Sequence, residues 1–572
     1  MDASRLRFPL GGCLTLAVSV LGILRPGAAA ELEMNPVGSY ATGLFGKSAA
    51  EIPAHCPSTQ RVFVVNAESG RVDVLSMSDQ GQLKPLGEID PTTDLAGPMK
   101  AVNSVAISRG RVAVAVESDP NTDPGAVAFY DTRTLRFLGS VPTGALPDMV
   151  AFSSDGRWVL VANEGEPNVD YSVDPEGTVT VIDLADGIDQ AVVRTVDFRD
   201  WNAGGSRAQE LPRLTAAGLR VSGRVTLSLE PYTSRPATFA EDVEPEWIEI
   251  SQDSATAFVC LQENNAIAEI DIPTAKAKRL IPLGFKDHGR VGNELDVSDR
   301  DGGIRIQSWP GLLGVFQPDT IRLYSTNGRS YLVTANEGDS RVRPYADGLI
   351  NGVPEGAVFT DEVTLKHWPL AGSVFEDSSG DGDLGRLRMV RDLVDTHLDQ
   401  QGRPTKLFAF GGRSFSIFDV ETGEIVFDSG SDFERITAER FPENFNASND
   451  SVAFDNRSRS KGPEPEGIAV GELDGKTYAF IGLERIGGIM VYEITDPHHA
   501  RFVAYVNNRN FSVSPRRADG SANPDAGDSG IEGLIFIPPH QSPSGKPLLV
   551  VGNESSGTTT VWALSSTGVA KP

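Results

Sequence analysis

Residues 148–198 contain, in order, DMVAFSSDG (148–156), RWVLVANEG (157–165), GTVTVIDLADG (177–187) and VVRTVDF (192–198). Each is a short run rich in Val, Ile, Thr and aromatic residues, set off by Gly, Asp or Pro, which is the pattern of strands joined by tight turns. The order returns on both sides. Upstream stand VNSVAIS (102–108), RVAVAVES (111–118), GAVAFYDTRT (125–134) and RFLGSV (136–141); downstream stand EWIEISQDS (246–254), TAFVCLQENN (256–265), AIAEIDIPT (266–274) and KRLIPLG (278–284). Further units open at Asp319, Glu466 and Glu532, and an incomplete one, RVFVVNAESGRVDVL, opens at Arg61. Four strands recurring about every 40–50 residues make the repeat of a β-propeller blade.

The expected fold is all-β, a single β-propeller of seven blades. Eight is the alternative count, because Asp319 to Asp432 holds a strand pair, a long interruption, and then TKLFAFGGR, SFSIFDV and EIVFDSG. The last unit lacks a fourth strand, while Val37 to Leu44 looks like one; exchange between the termini would close the ring and hide its open edges. Long loop insertions at 199–243, 285–317, 342–404 and 441–463 read as decorations of one propeller spanning 31–572, since none has a sustained apolar period.

Residues 1–30 read as a signal peptide: Arg5 and Arg7 precede an apolar run from Cys13 to Leu24, which leads to Ala28-Ala29-Ala30. A lipidation box at Leu10–Cys13 is the alternative, but the apolar run follows the cysteine instead of preceding it. No later segment approaches a membrane span, and the chain from Val561 to Pro572 shows no hydrophobic tail or sorting motif. The expected location is secreted or periplasmic. The net charge of -27 becomes more negative once Arg5, Arg7 and Arg25 are lost against Asp2. Such a surface repels nucleic acid and anionic lipid and draws cations. After export only Cys56 and Cys260 remain, in units nearly opposite one another, so no bridge is expected.

Superposing the second strands reveals an acid that the fold does not require: Glu68, Glu117, Glu164, Glu263, Glu337, Glu484 and Glu554 all end that strand, and only the GGR unit lacks it, at Gly412. A second set, Asp148, Glu246, Asp319, Glu466 and Glu532, opens the first strands. First strands line a propeller's channel, so equivalent carboxylates should form rings there. One alternative is that each glutamate braces its own turn by accepting backbone N–H bonds. The other is that a subset, Glu246, Glu263, Glu337, Asp339, Glu466, Glu484, Glu532 and Glu554, holds Ca²⁺, which takes oxygen ligands in flexible geometry. A separate acidic loop, Asp377-Ser378-Ser379-Gly380-Asp381-Gly382-Asp383, resembles the front of a calcium loop, although Arg388 stands where the bidentate glutamate belongs.

No nucleophile elbow, phosphate-binding glycine loop or zinc-spaced Cys/His cluster occurs. His498-His499 reads as a surface pair. Arg413, Arg435, Arg457 and Arg485 either clamp an anion such as phosphate or pair with the acids.

Several motifs resemble the choice-of-anchor I proteins: NEGEP (163–167) with DPEGTVTVID (174–183), EPEWIEIS (244–251), VTANEGDSR (333–341), GGRSFSIFD (411–419), KGPEPEGI (461–468) and LLVVGNESSGTTTVW (548–562). The likeness runs from about Val37 to Leu564. It is a family similar to mesenchyme-specific cell surface glycoproteins, and some members carry alkaline phosphatase names. The resemblance implies an extracellular, calcium-associated propeller. Two functions follow. The first is an exported binding protein for a protein or polysaccharide partner, acting at the cell surface or in the periplasm. The second is a metal-dependent phosphoester hydrolase, alkaline phosphatase- or phytase-like, in which carboxylate-bound Ca²⁺ polarises phosphate.

Overall fold

The computed structural model describes residues 32–168, 172–222, 236–343, 349–350, 353–354 and 359–566; the expected signal peptide at 1–30 lies outside them. Seven antiparallel sheets of four strands follow one another along the chain. Their first strands are Pro53–Cys56, Met99–Ser108, Pro147–Phe152, Pro245–Ile250, Ile321–Thr326, Pro465–Leu473 and Ile531–Ile537. Each packs against the first strand of the next sheet, and Ile531–Ile537 packs against Pro53–Cys56. The molecule has the β-propeller fold.

Burial explains why the repeat is so visible in the sequence. Trp158–Asn163 and Leu548–Asn553, both second strands, are buried at every position, because sheets cover both of their faces. Fourth strands such as Leu83–Ile89 are exposed along most of their length. The core lies between sheets: Ala113, Ala115, Val127 and Phe129 of the second sheet meet Val150, Val159, Val161 and Ile182 of the third. Each of the buried Val, Ile and Phe side chains contributes roughly 1.5–3 kcal/mol relative to exposure.

The last sheet takes its fourth strand from the amino-terminal side. Leu32–Ala41 pairs antiparallel with Thr558–Ser566, from Leu32 opposite Ser566 to Ala41 opposite Thr558. In the fifth sheet Ile321–Thr326 and Arg329–Asn336 are completed by Ser414–Asp419 and Ile425–Asp428, far along the chain. TKLFAF belongs elsewhere: Leu407–Phe410 pairs in parallel with Leu312–Val315, in a five-stranded sheet that also contains Phe285–Asp287, Glu362–Val363 and Met389–Val390. The 285–317 and 342–404 insertions thus share one sheet, and it has its own apolar cluster around Trp309, Leu365, Trp368, Phe375 and Phe408. Strands of two to four residues are too short to show a period in sequence. Cys56 and Cys260 are buried and unbridged. Among the described residues no helix is long and apolar enough to cross a membrane.

Candidate cation site among the first strands

Where the first strands begin, the ladder slips. The register between first and second strands shifts between Pro147 and Met149, Pro245 and Ile248, Pro465 and Ile468, and Ile531 and Leu534. Asp148, Glu246, Glu466 and Glu532 sit in those bulges. A bulge bends its strand and re-aims the side chain it carries, so the acids leave the sheet plane. Glycine follows two of them for a steric reason: a Cβ on Gly467 would stand 2.0 Å from the carbonyl oxygen of Glu532, and one on Gly533 would stand 2.6 Å from Cδ of Pro53.

This close approach gathers carboxylates from different sheets. Oxygens of Asp319, Glu466 and Glu532 all lie within 4.8 Å of one another, as do those of Glu337, Glu466 and Glu484. Glu466 belongs to both triads. First-strand and second-strand acids therefore meet.

Five of the glutamates that end second strands have side-chain partners. Glu117 pairs with Lys100 at 2.9 Å and Glu68 with Lys47 at 3.2 Å. Glu337 accepts from Gln262 Nε2 at 2.9 Å and pairs with Lys461. Glu484 accepts from Asn449 Nδ2 at 2.9 Å and pairs with Arg485 at 2.6 Å, and Glu554 accepts from Ser48 Oγ at 3.2 Å. Asp339 stands at the rim, 3.5 Å from Lys461 Nζ.

Among the described residues, some oxygens have no hydrogen-bond donor. Oε2 of Glu246, Glu263 and Glu466 is buried without a hydrogen-bond partner. Among the described residues, ion pairs reach Glu337 and Glu484 but not Asp319, Glu466 or Glu532. Burial, with Asp319, Glu166 and Glu117 nearby, pushes Asp148 up to about 7. Burial likewise pushes Asp319 up to about 6 and, in spite of Lys461, Glu337 up to about 8. Glu246, Glu263, Glu466, Glu484 and Glu532 are held well above the usual carboxylate range, first by burial and then by neighbouring acids: Glu263 acts on Glu246, and Glu484 and Glu532 act on Glu466. Crowded, donor-poor oxygens are the condition that a hard cation relieves, so these residues fit Ca²⁺.

Sequence reasoning missed the outer acids. Glu244-Pro245-Glu246 and Glu464-Pro465-Glu466 repeat one another, and in both the first glutamate meets a cation of the chain. Glu244 pairs with Arg341 at 2.9 Å. Glu464 is fully buried and meets Arg457, Lys461 and Arg485. Burial alone would raise Glu464, but those three cations hold it well below the usual range. The doubled Glu-Pro-Glu was the signal that could have found them.

The acidic loop lies apart from the triads. Asp381 pairs with Lys366 at 2.7 Å and Asp383 with Arg305 at 2.8 Å, while Asp377 lies in the short 3₁₀ turn Glu376–Ser378. The arginines weighed as an anion clamp meet acids instead: Arg413 binds Glu434, Arg435 binds Glu294, Arg457 binds Glu464, and Arg485 binds Glu464 and Glu484. His499 pairs with Asp496 on the surface. A further group, Asp296, Asp301 and Asp455, gathers near the inserted sheet; burial pushes Asp296 up to about 6 and Asp455 up to about 8. Arg305 Nε already stands 3.2 Å from Asp301.

The Choice-of-anchor I domain matches residues 51–497. The chain is similar to the mesenchyme-specific cell surface glycoprotein of Strongylocentrotus purpuratus, 28% identical over 331 residues, which is 53% of this chain and 40% of that protein. It is also similar to Gigasin-3a of Magallana gigas, 32% identical over 168 residues, which is 28% of this chain and 59% of that protein. The chain thus spans less than two thirds of the length of either relative. Among solved structures, the Cps50 (Swd1) β-propeller domain of Myceliophteria thermophila superposes with a TM-score of 0.41 and 9% identity, covering 93% of this chain and 100% of that one.

Proposed function

The chain belongs to the choice-of-anchor I family, and from that premise we propose that it is an exported, non-enzymatic propeller that binds calcium and a protein or polysaccharide partner. It acts at the cell surface or in the periplasm. The seven four-stranded sheets are its blades, the first strands wall its central channel, and the pairing of Leu32–Ala41 with Thr558–Ser566 closes the ring.

The observation that carries this reading is the convergence of Asp319, Glu466 and Glu532 within 4.8 Å, with no ion pair to any of the three among the described residues. Calcium would supply the missing charge, and the orphaned Oε2 of Glu466 would add to its shell. The partner would meet the long inserted loops, which a rigid sheet scaffold positions. The surface location is supported by the family and by the cell surface glycoprotein among its relatives.

Phosphoester hydrolysis is less well supported. It needs basic groups free to face a phosphate. Lys461 and Arg485, beside the triads, are instead turned onto Glu337, Glu464 and Glu484, with side chains only 13% and 19% exposed. Calorimetric titration of chelator-stripped mature protein with calcium tests the reading. Binding by the wild type and its loss in Glu466→Gln are expected. No binding heat at a pH above the raised carboxylate values would overturn it, and calcium-stimulated phosphate release that Glu466→Gln abolishes would favour the hydrolase.

A further inference from the structure

The two triads share Glu466, yet the chain treats them differently. Around Asp319, Glu466 and Glu532 it places no ion-paired cation among the described residues. Beside Glu337, Glu466 and Glu484 it places two. Lys461 Nζ bonds Glu337 and stands 3.1 Å from Glu464 Oε2 and 3.5 Å from Asp339 Oδ1. Arg485 stands 2.9 Å from Glu464 and 2.6 Å from Glu484.

Lys461 is held for this task. It stands near the end of the 441–463 insertion, whose backbone is pinned where Arg413 donates to the carbonyls of Ser458 at 2.7 Å and Ser460 at 2.8 Å. Its side chain is 13% exposed and meets three carboxylates. A lysine ammonium is a compact point charge, so an ammonium among several carboxylate oxygens resembles a small bound cation more than a guanidinium fork does. Gln262 and Asn449 orient Glu337 and Glu484 by donating at 2.9 Å each, which leaves their remaining oxygens for a cation.

Resting on the reading that the first triad takes calcium, we infer that Glu337, Asp339 and Glu464, at the edge of the second triad, form a cation position already filled by the tethered ammonium of Lys461. The wild-type ring therefore takes one divalent ion where its carboxylates could hold two. Removing the ammonium without removing the acids opens the second position.

The test is calcium stoichiometry, measured by equilibrium dialysis and calorimetry on chelator-stripped mature protein with calcium alone as the probe. Lys461→Met should bind one calcium more per chain than the wild type, and its melting temperature should become more dependent on calcium. Lys461→Arg and the double variant Glu337→Gln/Lys461→Met should keep the wild-type count. A folded Lys461→Met with the wild-type count overturns the inference while leaving the first site standing. Failure of Lys461→Met to fold even in excess calcium overturns it too, because a dication should restore what the ammonium supplied. A wild type that binds none, beside a Lys461→Met that binds one, removes the first site but upholds the role of the lysine; no binding by either sinks both.

Discussion

A carboxylate oxygen of Glu466 lies within 4.8 Å of one from Glu532 on the neighbouring first strand. The backbones there are also in close approach, since a Cβ on Gly467 would stand 2.0 Å from the Glu532 carbonyl oxygen. The neighbour is backbone and cannot rotate away. Gly467→Ala should therefore force the two sheets apart, destabilise the protein by about 1–3 kcal/mol and weaken calcium binding. Denaturant midpoints and calcium titration of the same variant check both effects; a variant with unchanged stability would mean that the sheets are not held so tightly.

The raised carboxyls give stability a defined pH dependence. An acid whose pKa is higher folded than unfolded binds protons more tightly in the folded state, so stability falls as pH climbs through that window. The window opens near the ordinary carboxylate values of about 4 and extends to about 6 for Asp319, about 7 for Asp148 and about 8 for Glu337. Calcium-free protein should melt at a lower temperature at the top of the window than at its foot, and calcium should remove most of the difference. Scanning calorimetry with and without chelator reads this directly; equal melting temperatures without calcium would contradict the crowding.

Much of the fold is legible in the sequence, for a physical reason. Second strands such as Trp158–Asn163 are buried on both faces, so they carry their β character in local composition. The acids recur because the blade recurs, and that recurrence by itself groups Glu337, Glu466, Glu484 and Glu532. The shared sheet of the insertions leaves no such trace. Phe285–Asp287 and Leu312–Val315 find their third partner in Leu407–Phe410, which reads locally like one more blade strand. Lys461 and Arg341 are hidden for a different reason. They occupy no repeated position, and only the doubled Glu-Pro-Glu hints that their partners differ from the other acids.

Arg341 and Glu244 form a buried pair at 2.9 Å, with side chains 6% and 3% exposed. Arg341 also donates to the Asp242 carbonyl oxygen at 2.7 Å. Removing one partner of such a pair leaves an uncompensated buried charge, which costs about 3–5 kcal/mol. Arg341→Met should lose stability on that scale, and Glu244→Gln/Arg341→Met should recover part of it. A double-mutant cycle in denaturant measures the coupling; additive losses would mean that the two side chains act separately.

The acidic loop supplies the contrasting case. Asp381 and Asp383 end on Lys366 and Arg305, with side chains 55% and 32% exposed, so each carboxylate already has a partner. Exposed pairs of this kind contribute about 0–1 kcal/mol. The double variant Asp381→Asn/Asp383→Asn should keep the wild-type calcium stoichiometry and a melting temperature close to that of the wild type, while Glu466→Gln loses calcium. The pairing is the physical reason: a divalent ion at the loop would have to displace two tethered cations, whereas among the described residues no ion-paired cation stands at Asp319, Glu466 and Glu532. Loss of one calcium from the loop variant, with Glu466→Gln binding normally, would move the site from the first strands to the loop.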